Sequence, residues 1–192
     1  MPDMPVHALT ISTPKSNVIK TDVSISNPKT GKSLGTKGIW DTGATSSVIT
    51  KSTAQALGLI PIGMTRVIGV HGAKIVPVYR VSITLNNENI SLETEVTECE
   101  ELSGTHDTGM LVGMNIIGMG DFSVSNFNGE TTMTFRVPSL EKIDYVSEIS
   151  EHNKMLKIHN SQLLHGVKNA KCPCNSGKAW HNCHGKSKYF ID

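Results

Sequence analysis

Residues 38–49 read GIWDTGATSSVI, and this stretch decides the fold. An apolar pair, Ile39 and Trp40, leads into Asp41-Thr42-Gly43, and a run of hydroxyl side chains then ends in Val48-Ile49. This order predicts a strand, a tight turn that carries one carboxylate, and a second strand. Because Gly43 has no Cβ, the turn leaves room for a second backbone to approach the carboxylate.

A carboxylate at such a turn suits one known chemistry, in which two carboxylates share a proton. The ionised carboxylate takes a proton from water, and the other protonates or hydrogen-bonds the carbonyl of an amide. The tripeptide alone is not specific, because it occurs again as Asp107-Thr108-Gly109. Asp107 follows His106 and precedes an apolar strand, so we expect it to lie in an ordinary loop. The alternative for Asp41 is that it too belongs to a simple turn after a strand.

Outside this stretch, the first 140 residues predict a mainly β domain, because apolar and polar residues alternate in short runs separated by turn residues. One short helix is also expected, since Thr50 or Ser52 can cap its start and Gly58 can end it. Beyond the domain, apolar residues recur at helical spacing, and one or two helices are predicted between Leu140 and about His165. The runs expected to form strands are 18–25, 65–70, 74–85, 90–96, 123–125 and 131–137.

Three segments after the Asp41 turn complete a pattern: Leu57-Gly58-Leu59, the glycines Gly69 and Gly72, and the run LVGMNII at 111–117. In this order the segments resemble the retropepsin-like aspartic proteases over about residues 10–138. The resemblance implies a mainly β fold, a closed barrel with a flap hairpin, and half an active site per chain. It also implies that Leu111, Val112 and Gly113 pack behind the catalytic loop.

The same resemblance implies roles for individual residues. Asp41, Thr42 and Gly43 would form the catalytic loop, and the flap from Gly69 to Tyr79 would close over a peptide substrate. The 66-residue spacing of Asp41 and Asp107 is too short for two lobes of one chain. A two-fold homodimer is therefore expected, with Thr131–Val137 contributing to its interface. The residues implied in substrate binding are Ala44, Gly69, Val70, His71 and Gly72.

The C-terminal segment 172–185 reads CPCNSGKAWHNCHG and predicts a metal site. Cys172, Cys174, Cys183 and His184 make up a Cys₃His set, which is a closed, tetrahedral arrangement for structural zinc. The alternative is a cluster of free thiols or a transient disulfide. The segment resembles the SEC-C motif, known from the tail of the SecA translocation motor, which implies these four zinc ligands. The same analogy suggests a protein or ribosomal partner for the tail, with Trp180 exposed as a contact.

Composition and charge exclude several classes of protein. The net charge is +1 over 192 residues, so no global field favours nucleic acid or a membrane surface. Local asymmetry exists, because 88–101 is acidic and 168–188 holds five lysines without a carboxylate; both are expected to be solvated surface. The N-terminus lacks the features of a secretory signal, and clustered cysteines favour a reducing, cytoplasmic location.

Together these observations predict a protease domain at 1–138, a helical linker at 139–166 and a zinc-binding tail at 167–192. The leading hypothesis is an aspartic endopeptidase, active as a homodimer, with zinc as a structural cofactor and none for catalysis. The rival hypothesis is a non-catalytic dimeric binding module or adaptor that acts through its zinc tail.

Overall fold

The computed structural model describes residues 5–69, 72–85, 89–102, 107–165 and 169–186. The chain divides into two compact units, Met1–Glu141 and Lys142–Asp192. The first unit contains strands β1 to β10 and two short helices, and the second contains one long helix and the cysteine-rich tail. The strands are β1 His7–Pro14, β2 Lys20–Ser26, β3 Ser33–Trp40, β4 Val48–Thr50, β5 Gly63–Gly69, β6 Gly72–Leu85, β7 Ser91–Cys99, β8 Thr108–Val112, β9 Asp121–Phe127 and β10 Glu130–Val137; the helices are α1 Lys51–Leu57, α2 Met114–Ile117 and α3 Tyr145–Leu164.

Six of the strands form a closed barrel in the order β2-β3-β8-β4-β7-β6, and β6 pairs again with β2 to complete the ring. Alternate residues of these strands point inward, because side chains of a strand alternate between its two faces. Fully buried members of the core include Ile25, Ile49, Ile83 and Val112. The mainly β fold class and the closed barrel predicted from the sequence are confirmed.

A hairpin extends from this ring. Strand β5 pairs only with residues 72–78 of β6, whereas β6 pairs with β7 from Val78 onward. One face of the hairpin presents apolar side chains to solvent, with Ile68 79% and Ile75 72% exposed. Neighbouring exposed apolar side chains indicate a contact surface for another molecule.

Helix α1 matches its sequence prediction at both ends. The Thr50 hydroxyl accepts a hydrogen bond from the backbone N–H of Thr53 at 3.2 Å, and Gly58 ends the helix in the left-handed conformation with φ of 62°. Ala54 and Leu57 are buried in the barrel core. Helix α1 therefore ends the segment that begins at the Asp41 turn, and its buried side chains hold the end of that segment against the barrel core.

The remaining strands form a separate three-stranded antiparallel sheet in the order β1-β10-β9. β10 is the central strand, so both of its edges are already hydrogen-bonded within the chain. Thr131–Val137 therefore has no free backbone edge with which to pair a second copy, and its contribution to a dimer interface stays a prediction. Among the described residues, the free edges of this sheet belong to β1 and β9. Strand β1 itself was not predicted, although Leu9 and Ile11 alternate with polar residues.

The segment after β10 is fastened to this sheet by Asp121. Its carboxylate accepts hydrogen bonds from the Ser139 hydroxyl and from the backbone N–H of Leu140, and it forms an ion pair with Arg136. These donors hold the pKa of Asp121 well below its usual range, with the Ser139 hydrogen bond as the largest cause. Residues 140–144, at the start of the region predicted to be helical, are thus not helical.

The second unit is built around α3, a single helix that begins at Tyr145. Asp144 caps it by accepting hydrogen bonds from the backbone N–H groups of Val146 and Ser147. In the tail, Trp180 lies between two imidazole rings: its ring centroid is 4.8 Å from that of His159 on α3 and 6.0 Å from that of His184. Trp180 is therefore half-buried, and the expectation of an exposed Trp180 is wrong. None of the described helices combines the length and apolarity needed to cross a bilayer.

Candidate active site and metal centre

Asp41 lies in a turn that begins where β3 ends. Its backbone N–H donates to the carbonyl oxygen of Val112 at 3.0 Å, and its Oδ1 accepts from the backbone N–H of Gly43 at 2.8 Å. The carboxylate is therefore oriented by its own turn. Asp41 and Ala44 are half-buried, while Thr42 and Gly43 are exposed, so the outer side of the turn is accessible to a second molecule.

The turn rests against the start of α2 at Gly113. A Cβ on Gly113 would lie 2.6 Å from both the carbonyl carbon and the carbonyl oxygen of Ser46, which no real Cβ tolerates. The backbone N–H of Met114 donates to the carbonyl oxygen of Ala44 at 2.8 Å. The packing of 111–113 behind the loop, implied by the family resemblance, thus depends on a glycine at this position.

Two polar side chains, Ser47 and Asn115, connect the turn to α2, and no local sequence pattern marks either of them. The amide oxygen of Asn115 accepts hydrogen bonds from both the backbone N–H and the hydroxyl of Ser47, each at 2.8 Å. The Ser47 hydroxyl oxygen accepts in turn from the backbone N–H of Gly113 at 3.0 Å. Because Ser47 is fully buried, these bonds hold the turn where solvent does not compete.

Trp40 anchors the other side of the turn. Its indole N–H donates to the Thr21 hydroxyl at 3.0 Å, which satisfies the only polar group of a buried side chain. Its ring stacks on Phe122 of β9 with a centroid distance of 5.5 Å and also contacts Phe135. The residue directly before Asp41 is therefore fixed against the three-stranded sheet.

The second Asp-Thr-Gly sequence lies at the opposite end of the same strand pair. β3 and β8 run parallel, with Trp40 opposite Val112 and Lys37 opposite Thr108. Asp41 follows the end of this pair and Asp107 precedes its beginning, so about 13 Å of strand separates them. Asp107 lies in a turn, as predicted, and its carboxylate is 3.7 Å from the ammonium group of Lys20. Thr108 and Gly109 already belong to β8.

The residues expected to bind substrate are distributed between the turn and the hairpin. Gly69 and Gly72 are paired at the end of the hairpin, and Gly72 has a φ of 98°, which favours glycine. Val70 and His71 lie outside the described residues. Ala44 lies in the Asp41 turn itself.

A cleft of about 560 Å³ is lined by the hairpin and by the end of β7. Its hairpin side is mostly apolar, with Val67, Val76 and Pro77, and its other side carries three glutamates in 98–101. Glu98 accepts a hydrogen bond from the Tyr79 hydroxyl at 2.7 Å. Burial, followed by this hydrogen bond, raises the pKa of Tyr79 to about 12. The cleft therefore combines apolar surface with three carboxylates and one ammonium group, that of Lys74.

In the second unit, Cys172, Cys174, Cys183 and His184 form a cluster in which all four ligand atoms lie within 4.8 Å of one another. The Sγ atoms of Cys174 and Cys183 are 3.6 Å apart, and Cys183 Sγ is 3.5 Å from His184 Nδ1. Thiolates bound to one tetrahedral zinc lie roughly 3.8 Å apart, so the cluster fits that ion. A hydrogen bond from the Ser176 hydroxyl is the largest cause that lowers the pKa of Cys174 to about 6.

Comparison with known proteins agrees with this description. Residues 29–119, slightly less than half of the chain, match the sequence model of a family described as "Aspartyl protease". The matched segment contains the Asp41 turn, the hairpin and Gly113, and it supports an aspartic protease. The tail lies outside this match. No curated protein matches the chain.

Several solved structures resemble the chain at low sequence identity. A retropepsin-like aspartic protease from Rickettsia conorii is 14% identical over 71% of this chain and 99% of its own, with a TM-score of 0.44. Simian foamy virus protease is 19% identical over 52% of this chain and 92% of its own, with a TM-score of 0.37. A foamy viral protease-reverse transcriptase is 24% identical over 53% of this chain, with a TM-score of 0.38, and the match spans only 12% of that protein.

The close contact between Gly113 and the Ser46 backbone can be tested by adding a methyl group at position 113. Gly113→Ala is expected to lower the free energy of unfolding of the barrel by about 1–3 kcal/mol, because the added methyl group displaces the Ser46 backbone. Gly35→Ala is the matched control, since nothing lies within 4 Å of its added Cβ. Urea unfolding of both variants measures the difference, and equal losses would contradict the role given to Gly113.

Proposed function

We propose that this chain is an aspartic endopeptidase that acts as a homodimer. The observation that carries the proposal is the Asp41-Thr42-Gly43 turn, held at the end of the buried β3–β8 pair within a segment that matches the aspartyl protease family. Asp41 of each copy would supply one carboxylate of the dyad. Thr42 would hydrogen-bond across the two-fold axis, and Gly43 would leave room for the opposite backbone.

In this proposal the two Asp41 carboxylates share one proton, because like charges so close together do not both ionise. The ionised carboxylate takes a proton from water as the water attacks the scissile carbonyl carbon. The protonated carboxylate hydrogen-bonds the carbonyl oxygen, and the proton then passes to the leaving amine. No metal takes part in these steps.

The need for a second copy follows from the position of the other carboxylate. Asp107 is separated from Asp41 by the length of the β3–β8 pair and lies near Lys20. It is therefore unsuited to complete a dyad, and a two-fold axis beside Asp41 is the arrangement that provides one.

We propose the edge of β9 as the place where the two copies pair. β9 begins with Asp121, and its Phe122 stacks on Trp40, next to Asp41. β1, the other free edge among the described strands, is two strands further away, about 10 Å. The sequence of β9 after Asp121, FSVSNF, contains no charge and no proline, the devices that normally protect an edge strand from pairing.

The turn between β9 and β10 identifies which backbone groups face outward. Asn128 and Gly129 have φ of 52° and 78°, so they form a two-residue hairpin turn of the kind with two positive φ angles. Phe127 and Glu130, which flank such a turn, are the hydrogen-bonded pair, and hydrogen-bonded positions alternate from there. Val124 and Asn126 therefore direct their N–H and C=O groups away from β10.

A peptide substrate would bind as an extended strand between the Asp41 turns and the two hairpins. Ala44 lies within the turn, and Gly69 and Gly72 mark the end of the hairpin. We propose that these residues, with Val70 and His71, contact the substrate backbone. The apolar side of the 560 Å³ cleft would receive side chains.

The tail would bind one zinc ion through Cys172, Cys174, Cys183 and His184. A closed set of four protein ligands leaves no position for substrate, so the metal would stabilise the fold of a segment too small for a core of its own. We retain the proposed divisions at 1–138, 139–166 and 167–192, although α3 and the tail fall within one compact unit. The cytoplasmic location also remains a proposal, and none of the four cysteines forms a disulfide.

The rival proposal is a non-catalytic dimeric binding module or an adaptor that acts through the tail. Three observations favour it: the hairpin exposes apolar side chains, the edge strand β9 carries no charge after Asp121, and a Cys₃His cluster lies in a separate unit. The two proposals differ in whether Asp41 is needed for the protein's effect.

Replacing Asp41 tests the enzyme directly. Asp41→Asn is expected to reduce cleavage of a diverse peptide mixture by roughly 10³-fold or more, because the variant loses the general base. New peptide termini are counted by mass spectrometry across pH 4 to 8. Asp107→Asn is the matched control and should retain cleavage. Absence of cleavage by a parent protein shown to be dimeric would favour the binding module.

Replacing Val124 tests the interface. Val124→Pro removes an outward N–H from β9 and is expected to raise the dimer dissociation constant by about tenfold or more, because the two-fold axis repeats the loss. Thr10→Pro on the outer edge of β1 is the control and should not affect dimerisation. Sedimentation measures both variants, and cleavage per chain should recover for Val124→Pro at high protein concentration. A stronger effect of Thr10→Pro on dimerisation would show that the two copies pair through β1 and not through β9.

The metal site is tested by zinc content. The parent protein is expected to bind one zinc per chain, and Cys174→Ser should lose it, because three ligands no longer fill the tetrahedral site. Cys99→Ser, which alters the cysteine outside the cluster, should retain full zinc content. Elemental analysis of the purified proteins gives the result, and a parent chain without zinc would refute the site.

A further inference from the structure

The two units carry opposite net charge. Residues 1–141 contain 10 basic and 13 acidic residues, for a net charge of −3, whereas 142–192 contain 8 lysines and 4 acidic residues, for a net charge of +4. Within the second unit the separation is sharper, since seven lysines and no carboxylate lie between Glu151 and Asp192. A near-neutral chain thus hides one strongly basic region, formed by the end of α3 and the tail.

The lysines of this region whose side chains the structure describes are available for binding. Lys154 and Lys157 on α3 and Lys171 and Lys178 in the tail are all exposed. Across the described parts of the chain, none of the four forms an ion pair, while several barrel cations do, including Lys37 with Asp22 and Arg80 with Glu95. A bound zinc would not remove the excess, because three thiolates and one divalent ion add only one negative charge.

We propose that this basic region, the second half of α3 with residues 169–186 of the tail, binds the phosphate backbone of single-stranded nucleic acid. The inference does not depend on the proposed protease chemistry. A flexible strand with regularly spaced charges can meet scattered lysines one by one without a shaped pocket. Sequence readout is not expected, because the second unit contains no arginine and lysine acts as a point charge rather than a bidentate fork.

The chemistry of the region favours a nucleic acid over an acidic protein. The side chains that dominate a protein–protein contact are most often Trp, Tyr and Arg. Trp180, the aromatic side chain within this region that the structure describes, already packs against His159 and His184. Tyr145 lies at the other end of α3, and the exposed apolar side chains of the basic region itself, Ile158 and Leu163, are aliphatic. Among its described residues, the basic region therefore offers charge without a free aromatic or arginine anchor.

The test uses the full-length, zinc-loaded chain and a fluorescein-labelled 20-nucleotide oligouridylate. Four lysine–phosphate contacts predict a slope of about −3 for log K against log salt, and roughly 50-fold weaker binding at 200 mM than at 50 mM salt. The combined variant K154Q, K157Q, K171Q and K178Q is expected to lose most of this slope. Its zinc content and circular dichroism show whether it has folded.

The matched control replaces four exposed lysines of the first unit, K15Q, K29Q, K32Q and K74Q, and should retain the slope. Fluorescence anisotropy measures oligouridylate binding by the parent chain and the two lysine variants. The Asp41→Asn variant of the parent chain should bind as tightly as the parent. Three results would overturn the proposal: salt-independent binding, equal losses in the two lysine variants, or competition by polyglutamate as effective as that by unlabelled oligouridylate.

Discussion

Strands β3 and β8 run side by side in the same direction, and the arrangement of the candidate active site depends on this pairing. It places Trp40, the last residue of β3, opposite Val112, the last residue of β8. The chain therefore turns at Asp41 after one strand and at Gly113 after the other. The two turns contact each other through backbone atoms at a distance that only glycine allows. Parallel strands need a long connection between them, and here that connection contains three of the six barrel strands, β4, β6 and β7.

The barrel and the Asp41 turn could be predicted because their signals are local. Thr50 and Gly58 carry the marks of helix ends, the strands alternate, and the glycines at 69 and 72 stand where the chain reverses. The order of these segments resembles one family of aspartic proteases, and residues 29–119 match a sequence model described as that of an aspartyl protease. The Gly113 contact could be expected only from that resemblance.

The features that the sequence did not reveal arise from contacts between residues that lie far apart in the chain. Strand β1 pairs with β10 across more than a hundred positions, and this pairing gives β10 a second neighbour, which removes it as an edge. Ser47 and Asn115 are ordinary polar residues until α2 folds against the turn. Trp180 was expected to be exposed because nothing in 172–185 indicates that His159 of α3 will stack on it.

The two tryptophans of the chain are divided between the units, Trp40 in the barrel and Trp180 in the tail. Their surroundings differ in the groups that affect an excited indole: Trp40 is enclosed by phenylalanine rings, whereas Trp180 lies between imidazoles. Each unit thus contains its own intrinsic fluorophore. Substituting phenylalanine for either one leaves a chain whose emission spectrum reports on a single unit, so that the order in which the two parts melt can be observed without attaching a dye.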